Sequence, residues 1–284
     1  MTPPASPSRP PPYPGFGAAL LLLVLLLACG MLLTVVLAVF DQTFGTTVSK
    51  HPAVEPVVYL VSAAITIGYG LRRAGAPVGM VLPFKSFPLL LLVPMALTVI
   101  GLGVVLSEAD NFLRLVMPPP EWMERLFEEL FSGRRGIIWS LLLVVVAAPA
   151  AEELLFRGVI LHGFLGRYPL RLAVVASAVL FAFIHLNPWQ FFGALAWGVM
   201  SAWWLARTGS LWPCLFGHAL NNGLPYVVEH LLRVEIRGYT TGLSAPVQFQ
   251  PLWFDAAGVA VGTVGIGWLL WAFHRMAYPE PAPE

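Results

Sequence analysis

Charged residues are scarce in this sequence, and that scarcity excludes a soluble globular domain. Only 11% of its 284 residues are Asp, Glu, Lys or Arg, whereas 58% are hydrophobic. Soluble domains carry about 25% charged residues, so the composition indicates a chain that lies within a lipid bilayer. The 16 basic and 15 acidic residues are spread along the whole chain and form no basic face, which excludes nucleic acid as a partner.

Cysteine is also scarce, with two residues, Cys29 and Cys214. Both lie inside apolar stretches, so neither a disulfide framework nor a CxxC metal site is predicted. Two signatures of hydrolases are missing as well, because the sequence has no His-Glu-x-x-His zinc motif and no Gly-x-Ser-x-Gly nucleophile elbow. Any catalytic site must therefore use another arrangement of polar residues.

Long apolar runs, by contrast, are abundant and predict helices that cross the membrane. Each crossing needs about 20 apolar residues. Such runs predict about eight spans, at residues 17–40, 54–71, 88–106, 136–162, 170–187, 189–206, 211–232 and 254–274. Tight turns are expected at Asn187-Pro188 and Gly209-Ser210. The predicted fold class is therefore all-α, a polytopic transmembrane helical bundle, and the protein is expected to be integral and multi-pass in the membrane.

The remaining segments have their own composition. The Pro-rich ends, residues 1–15 and 276–284, have too little apolar surface to pack and are expected to be disordered tails. Between them lie N-terminal transmembrane helices (16–109), a central segment (110–232), and a loop with the last span (233–275). Over residues 121–131, apolar and acidic side chains recur at helical spacing on opposite faces. This pattern predicts one amphipathic helix along the membrane interface, or one packed on the rim of the bundle.

Three ionisable residues, Glu152, Glu153 and Arg157, occupy two turns of the fourth predicted span. A charge at the centre of a bilayer costs several kcal/mol, so such residues normally face a polar cavity or one another. Glu153 and Arg157 are expected to pair on one helix face, whereas Glu152 points about 100° away. Pro149 cannot donate a backbone hydrogen bond, so a kink or a free carbonyl is expected near the carboxylates. Anchoring of a helix end at the interface is the alternative explanation of the Glu pair.

Two other spans also carry polar residues. His185 ends the fifth span, and His218 and Asn222 lie on one face of the seventh. A carboxylate with a histidine can hold and deprotonate water, while a second histidine and an amide can donate hydrogen bonds to a developing oxyanion. This set predicts hydrolysis without a covalent nucleophile. Two histidines and a glutamate also suit an open zinc site, so the residue types leave both mechanisms open.

Three motifs in this order, Glu152-Glu153-x-x-x-Arg157, Phe181-x-x-x-His185 and His218-x-x-x-Asn222, resemble those of the CPBP family. These are the CAAX-processing and bacteriocin-processing intramembrane proteases, also called the ABI family. The resemblance covers about residues 110–232, which would be the catalytic core. It implies a membrane-embedded cavity in which Glu152 activates water with help from His185, and in which His218 and Asn222 form the oxyanion site. Glu153 and Arg157 would have supporting roles.

The function that this resemblance implies is an intramembrane endopeptidase acting on a membrane-anchored or lipidated protein or peptide. The short loops fit a bacterial member in the inner (plasma) membrane. A glutamate-type enzyme without a cofactor is expected, and the alternative is a zinc enzyme with the metal at Glu152, His185 and His218. Two other functions would use the same residues: a non-catalytic immunity or scaffold protein that binds a peptide, and a proton-coupled transporter. Transport is less favoured because the spans show no internal duplication.

Overall fold

The computed structural model describes residues 12–125, 136–242 and 245–276. Within these ranges the chain is helical, and the β-structure consists of one isolated antiparallel bridge between Phe84 and Ser210. This confirms the all-α prediction. The helices are, in chain order, α1 (Phe16–Phe44), α2 (Val54–Ala74), α3 (Val78–Val81), α4 (Leu92–Val116), α5 (Ile137–Leu165), α6 (Leu170–Ile184), α7 (Pro188–Thr208), α8 (Trp212–Tyr226, extended by a π-helical turn at Val227–Leu232) and α9 (Leu252–Arg275).

The bundle has the helix lengths of a multi-pass membrane protein. Among the described residues, five helices are long and apolar enough to cross a bilayer: α1, α2, α4 with the turn before it (Leu89–Val116), α5 and α9. The other three predicted spans coincide with α6, α7 and α8. Both α6 and the regular part of α8 have 15 residues, a length of about 22 Å, which is short of a hydrocarbon layer of about 30 Å.

Large apolar side chains cover the outside of the bundle. Leu21 and Met31 on α1 are each 69% exposed, and Ile138 on α5 is 67% exposed. A soluble protein rarely carries such continuous apolar surface, but the acyl chains of a membrane would cover it. The exposed side chains therefore agree with the composition in placing the chain in lipid.

Glycine and proline fix several helix ends. Glycines in the left-handed conformation end α1, α2 and α7, with φ of 66° at Gly45, 64° at Gly75 and 63° at Gly209. Glycine adopts this conformation at little cost because it has no Cβ. At the start of α7, the Asn187 side chain accepts a hydrogen bond of 3.1 Å from the backbone N–H of Trp189. The turns predicted at Asn187-Pro188 and Gly209-Ser210 are therefore confirmed.

The second half of helix α5 lies inside the bundle, and the helix packs against α2 and α8. Its side chains Leu155, Phe156, Val159 and Ile160 are fully buried. Two π-helical stretches, Leu142–Ala147 and Leu154–Ile160, flank the regular segment Ala148–Glu153 that carries both glutamates. Such π-helical insertions are rare and often occur at functional sites.

A second close pair of helices is formed by α4 and α9, which pack along much of their length. A Cβ added at Gly101 would collide with the backbone of Gly262 and with the carbonyl of Gly258. The two backbones are thus in direct contact, as in other membrane helix pairs that meet at small residues.

Parts of three predicted segments fall outside the described residues. For the amphipathic helix, residues 121–125 are helical, and the rest of the predicted helix, to residue 131, lies outside. Of the predicted tails, residues 1–11 and 277–284 lie outside. Residues 12–15 are described, and there the Pro12 carbonyl accepts a hydrogen bond from Arg167 Nε just after α5.

Candidate active site

Glu153 is a fully buried carboxylate that side chains from three helices surround. On α5, Arg157 Nε lies 3.1 Å from Glu153 Oε2, which confirms the predicted pairing. Two side chains of α7 donate to the same carboxylate, Trp197 through Nε1 to Oε1 at 2.9 Å and Ser201 through Oγ to Oε2 at 2.8 Å. On α8, His218 Nδ1 lies 2.7 Å from Oε1. Both oxygens of Glu153 are therefore engaged within the protein.

His218 lies between the two glutamates. Its Nδ1 contacts Glu153 Oε1, and its Nε2 lies 3.8 Å from Glu152 Oε2. The other partners of Glu153 are an arginine, an indole N–H and a hydroxyl, so Glu153 acts as an acceptor and Nδ1 of His218 carries a hydrogen. The ring nitrogen left for chemistry is therefore Nε2, which faces Glu152.

Glu152 has a different environment from its neighbour. Its side chain is 12% exposed, and its Oε1 accepts a hydrogen bond of 2.9 Å from the Tyr59 hydroxyl on α2. Its Oε2 is buried and has no hydrogen-bond partner among the described residues. One carboxylate oxygen is thus held by the protein while the other is left open beside His218.

His185 lies in the turn just after α6 and shares a cavity with Glu152. Its Nδ1 lies 2.8 Å from the Phe181 carbonyl, so Nδ1 donates and Nε2 is left open. The cavity has a volume of about 680 Å³ and lies between α1, α2, α5 and the end of α6. Most of its lining is apolar, from side chains such as Leu26, Met31 and Ile184.

Phe181, the first residue of the second motif, links three groups of the site. Its ring centroid lies 4.3 Å from Cζ of Arg157, 5.0 Å from the His185 ring and 5.9 Å from the His218 ring. Stacking of a guanidinium on an aromatic face is favourable and becomes more so away from water. The Phe181 ring therefore lies between the Arg157 guanidinium, which pairs with Glu153, and the two histidine rings.

Asn222 lies one turn after His218 and contacts the backbone of α5. Its Nδ2 donates a hydrogen bond of 2.9 Å to the Val144 carbonyl, and its Oδ1 accepts one of 3.1 Å from Asn221. In a π-helical turn, the Val144 carbonyl would accept a hydrogen bond from the backbone N–H five residues later, at Pro149. Proline has no backbone N–H to donate. The free carbonyl predicted from Pro149 is thus confirmed, and Asn222 satisfies it. An amide NH₂ has two hydrogens, so one hydrogen of Nδ2 is left for another acceptor.

The predicted site residues thus meet to different degrees. Glu152, Glu153, Arg157 and His218 form one contiguous cluster. His185 joins Glu152 through the cavity, and Asn222 reaches α5 in the turns before Glu152. The structure adds three side chains that the sequence interpretation did not assign to the site: Tyr59, Trp197 and Ser201. Trp197 and Ser201 are four residues apart, and this polar spacing on an apolar helix was an available signal.

The zinc alternative required Glu152, His185 and His218 to act as one ligand set. No group of three or more His, Cys, Asp or Glu in the described ranges is placed to hold a metal ion. Glu152, His185 and His218 as placed therefore do not form a three-ligand site. The absence of a cofactor stays a prediction.

The comparison with protein families points to the same part of the chain. Residues 134–224 match a family model described as type II CAAX prenyl endopeptidase Rce1-like. An uncharacterized protein of Bacillus subtilis (strain 168), YyaK, is 29% identical over 160 residues, which are 51% of this chain and 52% of that protein. The chain thus spans about half the length of this curated relative. No solved structure matches the chain significantly. The family match contains every predicted site residue and confirms the resemblance to CAAX-processing proteases.

Proposed function

We propose that this chain is an intramembrane endopeptidase, because residues 134–224 match the family model described as type II CAAX prenyl endopeptidase Rce1-like. The proposal assigns it a lipidated or membrane-anchored peptide or protein as substrate and the bilayer as its surroundings. The cavity beside Glu152 is mostly apolar and has a volume of about 680 Å³, which suits an apolar substrate segment. The bacterial relative supports the inner (plasma) membrane of a bacterium as its location.

One observation carries the proposal: a buried oxygen of Glu152, without a hydrogen-bond partner among the described residues, lies 3.8 Å from Nε2 of His218. Two polar atoms at this separation are within reach of one bridging water molecule. Glu152 lines the cavity together with His185, and Nε2 of His218 lies beside Glu152. A hydrolytic water held there would be adjacent to a bound peptide bond.

In the proposed reaction, Glu152 is the general base and His185 helps to orient the water. As the water oxygen attacks the carbonyl carbon of the scissile bond, one water proton moves to Oε2 of Glu152. The carbonyl oxygen becomes an oxyanion. When this intermediate collapses, the C–N bond breaks and Glu152 returns the proton to the leaving amine nitrogen. The carboxylate is thereby restored without a covalent enzyme intermediate.

His218 and Asn222 are proposed as the oxyanion donors. In its imidazolium form, His218 donates from both nitrogens, from Nδ1 to Glu153 and from Nε2 to the oxyanion. Asn222 would donate its second amide hydrogen, since the first is bound to Val144. Glu153 and Arg157 support the reaction indirectly, because the Glu153 carboxylate fixes the orientation of the His218 ring. One oxyanion donor typically contributes about 3 to 4 kcal/mol.

The first prediction concerns Glu152→Gln. The purified protein in detergent micelles is incubated with an internally quenched peptide that contains a farnesylated CAAX cysteine, and cleavage is followed by fluorescence and mass spectrometry. The amide cannot accept the water proton, so we expect cleavage to fall by about 100-fold or more. Glu235→Gln is the control because Glu235 is exposed and lies outside the lining of this cavity, and it should cleave like the wild type.

Three results would contradict the proposal or part of it. Equal cleavage by wild type and Glu152→Gln would remove Glu152 as the base. If neither the wild type nor Glu152→Gln cleaves farnesylated or unlipidated membrane-anchored peptides, the result would favour the non-catalytic binding protein. Cleavage of the unlipidated peptide alone would refute the preference for a lipidated substrate while leaving the peptidase in place.

A further inference from the structure

Tyr59 contacts the proposed base from a part of the chain that carries none of the motifs. It lies on α2, and its hydroxyl donates a hydrogen bond of 2.9 Å to Oε1 of Glu152. The family match begins at residue 134, so Tyr59 lies well outside it. Helix α2 packs against the segment of α5 that carries the glutamates, and this contact brings the two residues together.

The hydrogen bond makes the two oxygens of Glu152 unequal. Tyr59 occupies Oε1, whereas Oε2 is buried without a partner in the described structure and faces Nε2 of His218. The terminal torsion of a glutamate side chain is broad and roughly two-fold, so the carboxylate can exchange its oxygens by rotation. A donor fixed on one oxygen opposes this rotation. It therefore determines which oxygen faces the histidine.

The surroundings of Tyr59 suit a fixed donor. Its ring packs against the buried core, and the residue lines the same cavity as Glu152 and His185. The partly buried phenol can hold its oxygen in place because the backbone of α2 and the core fix its ring. Hydrogen bonds to a charged acceptor contribute more than neutral ones, most of all in surroundings that exclude water.

We propose that Tyr59 is a positioning residue of the active site, whose phenol holds Oε1 of Glu152 so that Oε2 receives the proton of the hydrolytic water. This role rests on the proposed function, because it gives Glu152 the part of general base. It also extends the site beyond the family-matched segment. A catalytically complete chain then needs α2 as well as α5, α6 and α8.

The test compares Tyr59→Phe with Tyr69→Phe in the farnesylated-peptide assay. Tyr69 lies on the same helix but is 46% exposed, so it is a matched control for loss of one phenol hydroxyl. We expect Tyr59→Phe to lower kcat by about 10- to 100-fold, the range of one hydrogen bond to a charged group. KM should change by less than about twofold, because Tyr59 acts through the base rather than on bound substrate. Tyr69→Phe should match the wild type.

A second variant separates the hydroxyl from the packing of the ring. Replacing Tyr59 by 3-fluorotyrosine keeps the phenol donor and should keep most of the wild-type kcat. Thermal unfolding in the same detergent reports whether any variant has simply lost its fold. Wild-type kcat in Tyr59→Phe would overturn the proposal. So would an equal fall in kcat with 3-fluorotyrosine, because that result assigns Tyr59 to packing of the ring.

The Glu152→Gln variant distinguishes failure of this inference from failure of the proposed function. Inactive Glu152→Gln with fully active Tyr59→Phe would refute the positioning role and leave the peptidase intact. An active Glu152→Gln variant would refute the role of Glu152 as general base, and it would also refute the positioning role of Tyr59. Each variant therefore reports on a separate statement.

Discussion

Glu152 and Glu153 are adjacent in the chain, yet the fold gives them opposite surroundings. Glu153 is surrounded by four partners on three helices, whereas one oxygen of Glu152 is left open toward His218. Neighbouring residues on a helix point about 100° apart, and here this angle separates an inward-facing group from one at a cavity wall. A single dipeptide thus supplies both a structural anion and a candidate base.

The clearest stability prediction at the residue scale is Glu153→Gln. Losing the carboxylate leaves Arg157 buried without its counter-ion, and breaking one partner of a buried ion pair costs about 3–5 kcal/mol. We expect a lower free energy of unfolding, measured by chemical denaturation in detergent. The control Glu229→Gln changes an exposed side chain and should unfold like the wild type. Equal stability of the two variants would show that the ion pair does not contribute to the fold.

At the scale of elements, α5 joins regular and π-helical turns around Pro149. The proline lacks the hydrogen that an upstream carbonyl would accept, and Asn222 on α8 supplies a hydrogen to Val144 instead. A backbone carbonyl in the irregular part of α5 is therefore hydrogen-bonded to a side chain of another helix. It positions Asn222 against the turns that precede Glu152.

Pro149→Ala tests this arrangement. The restored backbone N–H gives an upstream carbonyl a partner within α5, which competes with Asn222. We expect unfolding in detergent to require at least as much free energy as in the wild type, because proline inside a helix costs about 3 kcal/mol. In the peptide assay, kcat should fall by about tenfold or more if the Asn222 donor is displaced. Pro94→Ala is the control, since Pro94 lies in the first turns of α4. A Pro149→Ala enzyme with full activity would contradict the link between α5 and α8.

The residue spacing in the sequence predicted which side chains share a face of one helix, but not how the helices are rotated against each other. The Glu153–Arg157 pair follows from their four-residue spacing, and the carbonyl freed by Pro149 follows from its missing hydrogen. Tyr59 gave no such signal, because a single tyrosine on an apolar helix can face lipid, a core or a site. The rotation of α2 against α5 decides among these, and tertiary packing sets it. Fewer helices in the described ranges than the eight predicted spans have the length and hydropathy of a span, partly because α6 and the regular part of α8 are short. The number of spans stays a prediction.

At the scale of the whole molecule, the cavity lies between the N-terminal helices and the family-matched segment. Helices α1 and α2 form one wall, while α5 and the end of α6 form the other. Gly30 on α1 lies on this wall, and a Cβ there would meet Ser62 Oγ at 3.6 Å, an ordinary contact. The position therefore accepts a side chain, which would project into the space proposed for the substrate.

Gly30→Trp is predicted to obstruct that space without unfolding the protein. We expect kcat/KM for the farnesylated peptide to fall by about tenfold or more, because a displaced substrate segment also misplaces the scissile bond. The control Gly17→Trp adds the same bulk at an exposed site on α1, where nothing lies within 4 Å of a new Cβ. Unchanged kcat/KM in Gly30→Trp would show that substrate reaches the glutamate by another route.

The backbone contact between α4 and α9 has a consequence for motion. Helices α4 and α9 touch through Gly101 and Gly262, so we expect them to resist sliding past each other. Helix α1 is the opposite case, since most of its large apolar side chains are exposed. We therefore expect α1 to be displaced sideways more easily than the α4–α9 pair, and such a displacement would widen the cavity beside Glu152 toward the acyl chains.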